Sequence, residues 1–169
     1  MGFPLKSAWT RSGSGRARHG GDGARRSYGR VLLVNPPMEV MGAEFMMEDV
    51  PLRLEYLAAF IRDHVEQVDV VDLTRESRPL EHYVRKLEPD LVGISANYVS
   101  VHQSAQDAAR VAKGLGADVV VGGYHATALS DEFARNRDID YVVRGEGEET
   151  LLELVQQQTP ISEIRGLSY

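Results

Sequence analysis

The chain has 169 residues, 25 acidic and 19 basic side chains, a formal net charge of −6 and no cysteine. That length suits one domain with a real core. Without cysteine the chain can hold no disulfide framework, cysteine zinc site, cysteine nucleophile or thiolate-bound iron–sulfur cluster. No apolar run approaches the ~18 residues of a membrane span, so no span is expected and the chain reads as cytoplasmic.

The charge is unevenly placed. Residues 1–30 carry seven basic side chains, one acid and seven of the 16 glycines, whereas the remainder carries 12 basic and 24 acidic side chains. Residues 1–29 therefore read as a basic, Gly/Arg-rich extension too poor in apolar residues to fold. No apolar stretch follows the charges, which excludes a secretory signal. A nucleic-acid arm, a membrane-surface arm, an organelle presequence and an extension without function all stay open. The acidic body behind it argues against nucleic-acid binding by the folded part.

From Arg30 onward, short β-branched runs alternate with helical spacing. VLLVN from Val31 is followed by a stripe of Leu52, Tyr56, Ala59 and Phe60, with Pro51 just inside the helix start. VDVVDL from Val68 precedes Leu80, Tyr83, Val84 and Leu87, a helix ended by Pro89. DLVGIS from Asp90 precedes a helix over 101–114 with Ala105, Ala108, Ala109 and Ala112 as small packing residues. ADVVVGG from Ala117 leads to a short helix over 127–135. DYVVRG from Asp140 leads to a last helix over 148–157 presenting Leu151, Leu152, Leu154 and Val155. Strands apolar on both faces and separated by helices predict a doubly wound parallel sheet of five strands, flavodoxin-like (Rossmann-like), in the order 2-1-3-4-5.

Ligands of such sheets bind beyond the carboxyl ends of the strands. The loops there are Asn35-Pro36-Pro37, Ser95-Ala96-Asn97-Tyr98, Gly122-Gly123-Tyr124-His125 and Arg144-Gly145-Glu146-Gly147-Glu148. They contain no Gly-x-Gly-x-x-Gly after the first strand and no Walker loop. The acidic pair of a receiver domain and a Gly-x-Ser-x-Gly elbow are also missing. Such loops suit binding better than bond-breaking.

The runs VLLVNPP, LEYLAAFIRD, LEPDLVGIS, VVVGGYHAT, DYVVRGEGEETLLEL and IRGLSY, in this order, resemble the cobalamin-binding domain of cobalamin-dependent radical S-adenosylmethionine proteins. The resemblance spans residues 30–169. It implies a cobalamin-binding domain over 30–158 and a lead-in, over 159–169, to a radical S-adenosylmethionine barrel in the same or a partner chain. It also implies a corrin over the strand ends and a nucleotide tail in a slot beside the sheet. Gly122 and Gly123 match the family's glycine pair, and Ser95 matches the hydroxyl that bonds the tail base. Contacts are further expected at Asn35, Pro36, Pro37, Ala96, Asn97, Tyr98, Tyr124, His125, Gly145 and Glu146.

The Asp-x-His-x-x-Gly motif of the methyltransferase and mutase branches is replaced by Asn35-Pro36-Pro37-Met38-Glu39-Val40, so no lower histidine ligand to cobalt is expected from this loop. His125 is expected either to contact corrin amides or the phosphate, or to brace its turn. His64, His82 and His102 are expected at solvated helix positions. Glu146 and Glu148 fit the acid-favouring start of a helix. Met41, Met46 and Met47 are expected near the corrin or as gap-fillers. The cluster-binding Cys-x-x-x-Cys-x-x-Cys is missing, so the chain alone is expected to catalyse nothing and to be a truncated domain, a split product or a stand-alone module. The competing expectations are a cofactor-free interaction domain, a cobalamin sensor, and an enzyme for a small anion held at helix N-termini.

Overall fold

The computed structural model describes residues 27–38 and 51–169. The expectations for residues 1–26 and for Met41, Met46 and Met47 lie outside the described residues. Six strands, β1 (Arg30–Asn35), β2 (Gln67–Asp72), β3 (Leu91–Ser95), β4 (Asp118–Gly122), β5 (Tyr141–Val143) and β6 (Leu167–Ser168), form one sheet in the order β2-β1-β3-β4-β5-β6. The first five are parallel, which matches the predicted 2-1-3-4-5 order. The sixth pairs antiparallel with β5 through Val142–Ser168 and Val143–Leu167, so the sheet has one strand more than expected. Two residues with no β-branched run give too weak a signal to be read as a strand.

Alternation along the strands sorts the core into two layers. Leu32, Val34, Val92, Ile94, Val119 and Val121 face α2 (Leu80–Leu87), α3 (His102–Gly114), α4 (Tyr124–Ala128) and α5 (Ser130–Ala134). The alanines of α3 are all buried there, and their small side chains let that helix lie close to the sheet. Val31, Leu33, Leu91, Val120 and Val143 face α1 (Leu52–Ile61) and α6 (Glu148–Gln156). The single helix expected over 127–135 is instead α4 and α5, separated by Leu129.

One helix turns a different face inward than its most obvious stripe suggests. On α1 the buried residues are Leu54, Ala58 and Ile61, while Leu52 is 71% and Tyr56 61% exposed. Both sets have helical spacing, and the branched aliphatic pair Leu54/Ile61 fills the layer against α6. Pro51 sits one position earlier than expected, as the residue before the first turn, and its carbonyl accepts the amides of Leu54 and Glu55.

Both termini of the described chain are tied to this frame. Tyr28 is buried, and its hydroxyl donates to Asp118 Oδ2 (2.7 Å). Lys113 Nζ bridges Asp140 (2.7 Å) and Asp118 (3.2 Å) at the same end of the sheet. Near the other terminus Thr150 Oγ1 donates to the Arg165 carbonyl (2.8 Å), and Ile164 and Leu167 are buried in the α1/α6 layer. The closing segment thus belongs to the folded unit. Ile164→Ala and Leu167→Ala should each lower unfolding free energy by about 2 kcal/mol or more, read from urea transitions. A change near zero would show that residues 164–167 do not pack as described.

Candidate functional site

The strand-end loops are stitched to one another by the backbone. The Ala96 amide donates to the Gly122 carbonyl (2.7 Å), and the Ala96 carbonyl accepts the amides of His125 (3.0 Å) and Ala126 (3.2 Å). This close approach requires Gly123. Its φ is +113°, and a Cβ there would lie 2.7 Å from both the Ala96 oxygen and Asn97 Oδ1. Thr127 continues the chain of contacts: its amide donates to the Gly123 carbonyl, and its hydroxyl accepts the Gly145 amide at 2.9 Å.

Beneath these loops a cleft of about 390 Å³ opens between the sheet and the α1/α6 layer. Its floor is Leu33, Gly93, Val120 and Val143, and its walls include Leu52, Arg53, Tyr56 and Leu57 of α1 and Glu148 and Leu151 of α6. Gly93 lies in this floor packed closely on its neighbour, so that a Cβ there would lie 2.7 Å from Leu33 Cδ2 and force that side chain to shift. A side chain at Gly122 would meet Val143 at an ordinary 3.5 Å, so the space above Gly122 is available to a ligand.

The polar groups of the cleft are few and held in place. Ser95, 9% exposed, accepts the Asn97 side-chain amide at its Oγ (2.7 Å). That leaves the Ser95 hydroxyl hydrogen without an acceptor among the described residues, free to donate to a ligand. Asn97 Oδ1 in turn accepts the Tyr124 amide (3.4 Å). At the mouth the Arg53 guanidinium lies over the Tyr124 ring, 5.0 Å from its centroid. Glu148 and Glu149 occupy the first turn of α6, where the helix dipole favours acids, as expected for Glu148.

Of the expected contact residues, Ser95, Asn97, Gly122, Gly123, Tyr124, Gly145 and Glu146 line the cleft. Asn35, Pro36, Pro37, Ala96, Tyr98 and His125 do not. Asn35 Nδ2 donates to Asp72 Oδ1 (2.9 Å), and the Pro37 carbonyl accepts the Ser104 hydroxyl (2.7 Å). Pro36 and Ala96 are buried, and Tyr98 is exposed.

His125 turns to the opposite face of the sheet. Its Nε2 lies 2.9 Å from His102 Nδ1, and both rings pack on the buried Phe133. His102 is therefore not at a solvated position: it also contacts Gln106 (2.7 Å) and Glu132 (3.3 Å). His64 meets Gln156 (2.9 Å), and His82 packs edge-on against Tyr83.

The sequence reading missed Gly93, Arg53 and the α1 wall. A glycine inside a β-branched strand is itself a sign of close approach.

Partial burial, then the nearby His102, lower the His125 pKa from its ordinary value, with Glu132 opposing them. A lowered histidine pKa means that the fold prefers the neutral ring, so its contribution to stability is complete above the unfolded value of about 6.5 and is lost as pH falls through the folded value. Thermal unfolding should therefore fall more steeply below about pH 6.5 in the wild type than in His125→Asn. Identical pH profiles would remove the histidine pair as the cause.

Fold and cleft together define a doubly wound domain with a ligand slot at its strand ends. A profile of the B12 binding domain family matches residues 38–155, and the chain belongs to that family, whose cofactor is cobalamin. The chain is 35% identical over 149 residues to an uncharacterized methyltransferase of Pyrococcus horikoshii, covering 82% of this chain and 31% of that protein. It is 30% identical over 133 residues to the anaerobic magnesium-protoporphyrin IX monomethyl ester cyclase of Rubrivivax gelatinosus, covering 75% of this chain and 24% of that one. The chain thus spans a quarter to a third of the length of these relatives.

The fold is shared with the cobalamin-dependent S-adenosylmethionine radical enzyme OxsB in its aqua-cobalamin-bound structure, with a TM-score of 0.64 and 20% identity over 82% of this chain and 20% of that one. Among the described residues no helix is long and apolar enough to cross a membrane.

Proposed function

We propose that this chain is a cytoplasmic cobalamin-binding module that presents its cofactor to a radical S-adenosylmethionine barrel, in the same chain or a partner. The observation that carries the reading is the cleft itself. Gly93 and Gly122 contribute no side chains to it, its floor is otherwise apolar (Leu33, Val120, Val143), and the Ser95 hydroxyl stands at its wall with a hydrogen to donate. A flat aromatic base needs such a space and one donor for its ring nitrogen. The corrin would then lie across the carboxyl ends of β1, β3 and β4, over Pro37, Asn97, Tyr98 and Tyr124, with Gly145 and Glu146 closing the far side. His125, turned away, braces the loop that carries Gly122 and Gly123. When bound, cobalamin supplies a cobalt centre able to carry a methyl group or exchange electrons. The chain's own work is to bind and orient the cofactor and to shield its tail from water.

Reconstitution tests this directly. After incubation with hydroxocobalamin and desalting, the wild-type chain should retain the visible corrin bands, and a colourless protein would overturn the reading. Gly122→Val should keep the wild-type circular dichroism yet lose retention by about tenfold or more, because its methyl groups occupy the cleft. Gly123 is a poorer probe, since its positive φ makes any substitution there strained.

The cobalt should also receive no histidine from below. The stretch from Asn35 to Val40 contains none, and His125, the histidine of the strand-end loops, is engaged with His102. The electron paramagnetic resonance spectrum of the bound Co(II) form should lack nitrogen splitting from an axial ligand. A three-line nitrogen pattern with bound Co(II) cobinamide, which carries no base of its own, would refute that assignment.

A further inference from the structure

We propose that Arg53 reads the nucleotide tail of the cofactor, pairing its guanidinium with the tail's phosphodiester and so selecting complete cobalamin over corrinoids that lack it. This rests on the cobalamin reading above and adds a specificity determinant to it.

The argument starts from charge. The charged residues lining the cleft are Arg53, Glu146 and Glu148, so Arg53 is its one cation among the described residues. Neither glutamate forms an ion pair with it, and no carboxylate of the described residues lies within ion-pair distance. The periphery of cobalamin consists of neutral amides, and its tail carries a single fixed negative charge, the phosphodiester. A cation with no carboxylate partner among the described residues, in the cleft that fits the tail, matches that one charge.

Geometry adds the orientation. Arg53 stands on the exposed side of α1, one residue before the buried Leu54, so the helix that carries it is fixed by the core. Its guanidinium lies 5.0 Å over the Tyr124 ring. A cation over a ring face is held through its charge and keeps N–H donors for other partners. A planar fork held in this way suits two parallel hydrogen bonds to phosphate oxygens, which a lysine ammonium cannot reproduce. Tyr124 is itself held through its amide by Asn97, the residue that donates to Ser95. The proposed phosphate contact and the proposed base contact are thus linked through one short chain of side chains.

The test compares two corrinoids by absorbance titration of the full chain: cobalamin, and cobinamide, which has the corrin but lacks the phosphodiester, ribose and base. Arg53→Gln lies on an exposed position, so it should leave the circular dichroism unchanged. It should weaken cobalamin binding by about tenfold while leaving cobinamide binding unchanged. Arg53→Lys, which keeps the charge without the fork, should recover part of the loss. Unchanged cobalamin affinity in Arg53→Gln, an equal loss for both corrinoids, or no recovery by lysine would overturn the assignment. A wild-type chain that binds neither corrinoid would remove the cobalamin reading and this assignment together. Wild-type binding with an unaffected Arg53→Gln would remove this assignment alone.

Discussion

Two backbone amides converge on the carbonyl oxygen of Ala96, and the arrangement of the ligand end follows from that contact. It draws the end of β3 against the start of α4 so tightly that the residue between β4 and α4 can have no Cβ. Held there, Tyr124 is placed under Arg53 on one side of the sheet. His125, the next residue, is sent to the other side, where His102 and Phe133 receive it. One crowded carbonyl therefore sets the roof of the cleft and anchors that roof to the opposite core.

The two faces of the sheet are packed by different means. Over one face, α3 brings four buried alanines, and backbone comes close to backbone. Over the other, α1 and α6 approach with leucines, and those side chains hold the helices off a sheet that has a glycine in the middle of β3. Bulky residues on the helices and a missing one on the strand leave a gap, where the reverse choice would have closed it. The cleft is thus a product of side-chain sizes on two elements and not of any loop alone.

This explains what could be read from the sequence. The parallel sheet and its order were legible because buried strands written in valine, leucine and isoleucine carry their own signature, and tight turns demand glycine and proline. The glycine pair and Ser95 were legible as a motif at a strand end. The inward face of α1 was not, because Leu52/Tyr56/Phe60 and Leu54/Ala58/Ile61 both have helical spacing and only the partner α6 decides between them. His102 and His125 lie 23 residues apart, and nothing local indicates that α3 and α4 bring their rings together. Arg53 was passed over for the same reason: its meaning depends on a tyrosine from another loop.

The two-residue strand β6 has a consequence out of proportion to its length. A parallel sheet that ended at β5 would present a row of unpaired amides and carbonyls to any passing strand. By folding back antiparallel, Leu167 and Ser168 occupy that row. At the opposite border β2 carries Gln67, Asp69 and Asp72, whose desolvation an incoming strand would have to overcome. Both margins of the sheet thus resist strand-by-strand growth into aggregates.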